Sequence, residues 1–428
     1  MDLEGDRVLK LCLFDLDQTL VDTEDMKALR EAGKHRNDAG YAAEVQTAFK
    51  SRQRNIIDET TLLALLSDVP GLRLGIFTRS PRGYVDAVLA IAYAHIDWGV
   101  VIAYEDVKHC KPDGEGILVA MISMGLGEAD ELPHVLLVGD SDVDIRAAYN
   151  AGCRAILFKK GWPWSYLPTH WRSLSLIPDV VTDTQEELRD RIQDPVSGLP
   201  DLERLLEAGI DAPPPPRFDE VAKFLPDHSR HVMHTAGRYF PLYENLKYRR
   251  EWHALSQSIQ ANKDSVSFPP EWIETIRRFI ASQYRYLAAI PRFGGTGPEV
   301  VVTAIPARPG RNHRLGNLIT QLGASYGVGS SYKNLLLTFD ATVLAYRPGV
   351  QSQSNDYLNQ EQRFANVREH LYVGDPSAAQ GKKFLVIDDV STSGATLLYA
   401  KKYLTEAGAN SVDCFSLAQT ISDPLRYQ

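Results

Sequence analysis

The sequence predicts an α/β protein with two doubly wound, Rossmann-like domains, and three observations lead there. Short apolar runs alternate with longer amphipathic segments from Val8 to about Asp194, and again from Glu299 onward. Between them the composition turns proline-rich and then aromatic and helix-forming. With 428 residues the chain exceeds one ordinary core, since single domains usually hold about 100–200 residues.

In the first half, "VLKLCLFDL", "LRLGIFT", "VLLVGD", "AILF" and "DVVTD" read as buried strands. "EGILVAMISMGL" and "DIRAAYNAG" read as intervening helices, the latter stopping at Gly152. A first domain is expected over residues 1–194, with a small helical cap at about 21–71. A linker follows over 195–236, where Pro213 to Pro216 favour an extended segment. The second domain is expected over 237–428. It opens with a helical segment that includes "EWIETIRRFIASQYRYL", started by Pro269 and Pro270. Strands at "VVVTAI", "LLLTFDATVL", "KFLVIDD" and "VDCFSLAQT" complete it.

A formal charge of −9 argues against a general nucleic-acid or membrane-surface binder, so anionic substrates must be captured locally. The four cysteines, Cys12, Cys110, Cys153 and Cys414, stand singly, with neither a CxxC clamp nor a disulfide framework. No long apolar run reads as a signal peptide or membrane span. A cytoplasmic protein is expected.

In "FDLDQTL" a strand delivers Asp15 and Asp17 just past its carboxyl end, where open α/β sheets bind ligands. Two residues apart on extended chain, both carboxylates face one pocket, so one can attack phosphorus while the other handles a proton. "LGIFTRS" ends at Thr78, whose hydroxyl and amide can hold a phosphate oxygen, and "HCKPDGEGIL" supplies Lys111 to balance the acids. "VLLVGDSDVDI" adds Asp140, Asp142 and Asp144, hard oxygen ligands suited to Mg²⁺. These four motifs together resemble the haloacid dehalogenase (HAD) superfamily of phosphatases. That resemblance implies Asp15 as the nucleophile that forms an aspartyl-phosphate and Asp17 as general acid and base. It implies that Thr78 and Lys111 bind the phosphoryl group, and that Asp15, Asp140 and Asp144, with a carbonyl of Asp17, hold Mg²⁺. In the cap, Lys27, Arg30, Lys34, His35 and Arg36 are candidates to meet an anionic substrate, the alternative being a solvated charged face. The aromatic loop "KKGWPWSYLPTHW" either shields the site or is structural.

At the other end, "FLVIDDVSTSGATL" sets Asp388 and Asp389 beside a small, hydroxylated turn. Hydroxyls of Thr392, Ser393 and Thr396, with amides around Gly394, form a phosphate cradle at a helix N-terminus. A sugar phosphate reconciles the two: the cradle takes the 5-phosphate while the acids accept from ribose hydroxyls or steady a metal. The stretch resembles the loop of type I phosphoribosyltransferases that binds phosphoribosyl pyrophosphate (PRPP), with "STSG" at its Thr-Thr-Gly-like run. It implies PRPP binding by Asp388, Asp389, Ser391, Thr392, Ser393, Gly394, Ala395 and Thr396, joined by Arg308. "AIPARPGRNHRLGNLITQLG", "RPGVQSQSNDYLNQEQRFANVREHLYVG" and "FSLAQT" resemble the ComF-like branch, to whose "LKY" region "GRYFPLYENLKYRREW" corresponds weakly. That branch's zinc ribbon is replaced here by the phosphatase domain. Arg311 and Arg314 are further candidates for pyrophosphate, and Arg363 and Arg368 for the acceptor side, with surface arginine as the alternative for each. His228, His231 and His234 read as a helix face, metal-binding or merely packed.

Together the two resemblances imply a Mg²⁺-dependent bifunctional enzyme of nucleotide metabolism that acts on PRPP and a small phosphorylated metabolite. Phosphoribosyl transfer to a base-like acceptor would precede removal of the 5′-phosphate. The alternative is a regulator or defence component in which the phosphoribosyltransferase fold senses a nucleotide or PRPP and gates the phosphatase.

Overall fold

The computed structural model describes residues 8–159, 176–212, 215–291, 298–327, 331–351 and 359–423. The aromatic loop from residue 160 on, Pro213 and Pro214, and the loop from residue 352 to 358 lie outside the described residues. The chain divides into two compact units: residues 1–199 with 240–253 and 422–428, and residues 200–239 with 254–421.

The first unit is built on a parallel sheet of β1 (Leu11–Phe14), β2 (Arg73–Phe77), β3 (Trp98–Ile102), β4 (Val135–Gly139), β5 (Arg154–Phe158) and β6 (Val180–Thr182). Their order is β3-β2-β1-β4-β5-β6. Every residue of β1 is buried, as a central parallel strand covered on both faces requires. Phe14 pairs with Ile76 on one side and Val138 on the other, so β1, β2 and β4 run out at the same level. β3 escapes the sequence reading because its burial is patchy, with Gly99 exposed. The helix Asp142–Ala151 stops at Gly152, as expected. The expected cap takes the form of helices Lys27–Ala32, Ala39–Phe49 and Glu59–Asp68.

The second unit carries β7 (Asp219–Phe224), β8 (Arg230–Thr235), β9 (Arg238–Tyr239), β10 (Glu299–Ala304), β11 (Ser331–Tyr332) and β12 (Leu335–Phe339). It continues with β13 (Leu344–Tyr346), β14 (Leu371–Val373), β15 (Lys383–Ser391) and β16 (Ser411–Thr420). The main sheet runs β11-β12-β10-β15-β16-β8-β7, with β9 beside β16 and a separate two-stranded sheet of β13 and β14. Alternate residues feed two cores. Val300, Val302, Leu385 and Ile387 pack with Trp272, Ile276 and Leu318 from helices Pro270–Gln283 and Arg314–Tyr326. Val301, Phe384 and Val386 pack with Phe364, Leu398 and Leu404 from helices Gln360–His370 and Ala395–Glu406. Two helical layers over one sheet make this a doubly wound unit.

Three expectations change. The stretch 195–236 is no mere linker: it holds helix Asp201–Ala208 and strands β7 and β8, and from residue 200 it clusters with the second unit. "HSRHVMH" is not a helix face, because β8 pairs residue by residue with β7, from Asp219 opposite Thr235 to Phe224 opposite Arg230. That ladder overrides the three-residue spacing of the histidines, and the His234 ring lies 5.3 Å from that of Phe279, tilted by 51°. The "LKY" segment belongs to the first unit, since 240–253 clusters there.

Arg249 explains the last placement. Its guanidinium is fully buried, contacts the Asp179 carboxylate, donates to the Cys153 carbonyl at 2.7 Å and lies 4.0 Å from the Trp252 ring centroid. Trp252 itself donates to the Gly152 carbonyl at 2.9 Å. Breaking a buried ion pair from one side costs about 3–5 kcal/mol. Arg249→Leu should therefore lower stability by about that amount, and adding Asp179→Asn should recover part of the loss. Denaturant melts followed by tryptophan fluorescence test this; equal stability of Arg249→Leu and wild type would refute it.

Candidate functional site

Three neighbouring strands end at one place in the first unit. β2 is followed by Thr78, β1 by Asp15 and β4 by Asp140. Carboxylate oxygens of Asp15, Asp140 and Asp144 all lie within 4.8 Å of one another. Lys111 sits among them with its side chain 1% exposed, donating to Asp15 at 2.9 Å and Asp144 at 2.7 Å, with the Phe77 ring 4.9 Å away. Asp144 also caps its own helix, accepting from the Ser141 amide and hydroxyl at 3.1 and 2.7 Å. Residue 139 must be glycine for this approach, because a Cβ there would fall 2.2 Å from the Asp144 carboxyl carbon. Burial, reinforced by Asp144 and Asp17 and opposed by Lys111, pushes Asp15 up to about 6. Burial and the same crowding push Asp140 upward too. Three acids on one ammonium leave excess negative charge in a hard-oxygen cluster, which is the donor set a Mg²⁺ ion fits.

Asp17 is held rather than crowded. Thr23 donates to its carboxylate at 2.5 Å and Tyr84 at 3.2 Å, Ser80 donates to its other oxygen, and Arg30 pairs with it at 3.0 Å. Ser80, Tyr84 and Thr23 carry no sequence signal of their own, although Ser80 stands only two residues beyond Thr78. Thr78 keeps half of its expected role. Its amide is spent on the Ile102 carbonyl at 3.0 Å, and its hydroxyl accepts from the Ser80 amide at 3.2 Å, which leaves the hydroxyl proton to donate. Of the cap cations, Arg30 alone among those five is tied to a predicted site residue. Arg36 pairs with Glu44, Lys34 pairs with Glu31, and Lys27 and His35 are exposed.

In the second unit β15 keeps β10 as a neighbour only to Ile387, whereas β16 accompanies it to Ser391. From Asp388 onward one side of the strand is therefore open, and a cavity of about 540 Å³ lies there. All of the predicted PRPP residues line it: Asp388, Asp389, Ser391 to Thr396, and Arg308. Arg311, Arg314 and Arg363 line it as well, with Lys263 and Tyr346, two residues no motif announced. Arg368 does not; it pairs with Glu369 at 3.5 Å and is exposed. Arg314 contacts the Asp389 carboxylate and donates to the Asn262 and Lys263 carbonyls at 3.2 and 3.3 Å. The helix Ala395–Glu406 starts from Gly394, at φ +78°. Its first residues line the cavity, and the Ser391 hydroxyl is buried without a hydrogen-bond partner among the described residues. A helix amino end of this kind suits an anion.

Burial pushes Asp388 up to about 7, against the pull of Arg314 and Arg308. An acid whose folded value lies above its unfolded 3.8 holds an extra proton in the folded state between those limits, so stability is full below about pH 4 and falls as pH rises toward 7. Asp388→Asn removes that loss. The apparent Tm of the ligand-free variant should exceed wild type by about 4 °C at pH 8 and converge with it near pH 4. A variant less stable than wild type at pH 8 would refute the sign.

Residues 29–158 match the family described as Haloacid dehalogenase-like hydrolase, and residues 314–426 match the Phosphoribosyl transferase domain. The PpaX protein of Clostridium perfringens is 27% identical over 221 residues, covering 44% of this chain and 98% of its own. A phosphoglycolate phosphatase of Salmonella paratyphi A is 33% identical over 131 residues, covering 30% of this chain; the match spans 46% of that protein's length, so about half of it. Among solved structures, a predicted phosphoglycolate phosphatase from Haemophilus somnus is similar at 21% identity and a TM-score of 0.33, over 42% of this chain and 97% of that one. No helix among the described residues is long and apolar enough to cross a membrane. The chain thus joins a haloacid dehalogenase-like hydrolase domain to a phosphoribosyl transferase domain.

Proposed function

We propose that the second unit transfers phosphoribose from PRPP to a base-like acceptor in the ComF-like manner, and that the first then removes the 5′-phosphate, leaving a nucleoside-like product. The observation that carries the reading is the bridge from Lys111 to Asp15 and Asp144 at the end of β1, where a phosphate dianion and an attacking carboxylate can share one cation.

In the first unit Asp15 attacks phosphorus and forms an aspartyl-phosphate, while Asp17, whose oxygens accept from Thr23, Ser80 and Tyr84 and pair with Arg30, exchanges part of that shell for a proton taken up with the substrate and passes it to the leaving alkoxide. Asp17 then takes a proton from the water that cleaves the intermediate and so restores Asp15. Lys111 and the Thr78 hydroxyl hold the phosphoryl oxygens. Asp15, Asp140 and Asp144 would hold Mg²⁺, with the main-chain carbonyl of Asp17 because its side chain is engaged. The ion would offset the repulsion between Asp15 and the phosphate.

In the second unit residues Thr392 to Thr396 receive the 5-phosphate and Asp388 and Asp389 accept from the ribose hydroxyls, displacing Arg314 from Asp389. Arg308, Arg311 and Lys263 face the departing pyrophosphate. Loss of the 5′-phosphate from the product pulls a reversible transfer forward. A second reading rests on the near full-length match to PpaX, named as a candidate pyrophosphatase: the first unit hydrolyses the released pyrophosphate, with the same pull.

Incubation with PRPP, Mg²⁺ and a panel of bases should give nucleoside from wild type, nucleotide from Asp15→Asn, and neither from Asp389→Asn. The Asp15 variant should lose about a thousandfold or more of its phosphatase rate. Nucleotide from both wild type and Asp15→Asn would sink sequential action, and consumption of pyrophosphate by wild type alone would favour the second reading. Chelation of divalent cations should abolish both half-reactions, with recovery on adding Mg²⁺.

A further inference from the structure

The loop Thr392–Gly394 rests on a lysine that lies far from it in sequence. Lys223, on β7, donates from its ammonium to the Thr392 carbonyl at 2.8 Å. The Gln419 side chain donates to the same carbonyl at 3.2 Å, and the hydroxyls of Thr392 and Thr420 are 3.0 Å apart. Under the turn lies the stem of Lys223: a Cβ added at Gly394 would come within 3.1 Å of its Cγ and 3.0 Å of the Met233 sulfur. Lys223 falls outside residues 314–426 that match the phosphoribosyl transferase domain, and it does not line the cavity.

A trans peptide plane points its carbonyl and its amide in opposite directions. Two donors holding the Thr392 carbonyl on the β7 and β16 side therefore turn the following amide, that of Ser393, the other way. Thr392 and Ser393 line the cavity, so the amide is turned into the phosphate cradle. The ammonium adds a positive charge behind a cradle that already stands at the amino end of a twelve-residue helix.

We propose that Lys223 is a positioning residue for the phosphate loop, fixing the Ser393 amide toward the ligand's phosphate and lending charge from behind. This rests on the assignment of Thr392–Thr396 as a phosphate site. The hairpin of β7 and β8 then has a task beyond covering the sheet edge: it braces the binding loop.

The test uses the full chain with Lys223→Met and Lys223→Arg, titrated with PRPP and separately with ribose 5-phosphate by calorimetry, alongside steady-state transfer where a base is accepted. Lys223→Met should weaken both ligands about tenfold and raise KM for PRPP with little change in kcat, because ground state and transition state share the 5-phosphate contact. Lys223→Arg, which keeps the charge and a donor, should recover most of the affinity. Phosphatase turnover of p-nitrophenyl phosphate should be the same in all three proteins, and matching circular dichroism melts report that the second unit is intact. Ribose 5-phosphate bound tightly by wild type and weakly by Lys223→Met, with no transfer to any base, upholds the role of Lys223 while the transferase reading falls. Equal affinity of Lys223→Met and wild type overturns the role of Lys223 and leaves the transferase reading standing. Wild type that binds neither ligand overturns both.

Discussion

Lys111 carries the constraint on which the first site depends. Two carboxylates touch one buried ammonium, and a third lies within 4.8 Å of them. Without that cation the cluster would protonate or disperse, since like charges at such spacing raise one another's pKa. Burial first, and the neighbouring acids after it, push Asp15 and Asp140 upward against the pull of that lysine. The second site obeys the same rule with different parts. Arg314 contacts Asp389 and pulls against the burial of Asp388, so acids again occupy an anion site only because a cation stands beside them.

Both arrangements follow from where strands stop. A strand inside a parallel sheet is covered on both sides; past the last shared rung one side opens, even though the Asp15 amide still reaches the Val138 carbonyl at 2.9 Å. Asp15 and Asp140 follow adjacent strands, and Asp388 is the residue at which β15 loses β10. Close packing then selects the glycines. Gly139 lets the Asp144 carboxyl group reach the cluster, and Gly394 lets the turn lie on Lys223 and Met233.

This division explains what the sequence disclosed. Asp15, Lys111, Asp140 and the run Asp388–Thr396 sit in short segments whose strand, turn and helix order is written locally, so their placement at strand ends could be read from residue type and spacing. The partners of Asp17 could not, because Thr23, Ser80 and Tyr84 converge on it only after the chain has folded. Lys263 and Lys223 reach the second site from segments with no motif. The placement of residues 240–253 was hidden for a related reason: an amphipathic pattern tells that a face is buried but not against what, and Arg249 finds Asp179 seventy residues away in the chain. The histidines of β8 misled by spacing alone, since pairing with β7 and not local propensity decided their conformation.

The raised acids also bear on how the sites work. Asp15 near 6 and Asp388 near 7 are groups that the empty fold would rather keep protonated, so each ligand-free site holds an unfavourable charge arrangement at neutral pH. On the proposed reading a bound cation or a ribose hydroxyl donor would relieve that arrangement, and the relief would add to binding free energy. Interactions made with ligand thus replace stability forgone by the empty protein, the usual exchange at sites built for charge. Residues that hold the machinery in shape from outside it, the quartet around Asp17 and the lysine beneath Thr392, keep the groups in place while their charge is left unsatisfied. A site that must wait for its counter-charge needs such bracing most, because nothing within it favours the waiting geometry.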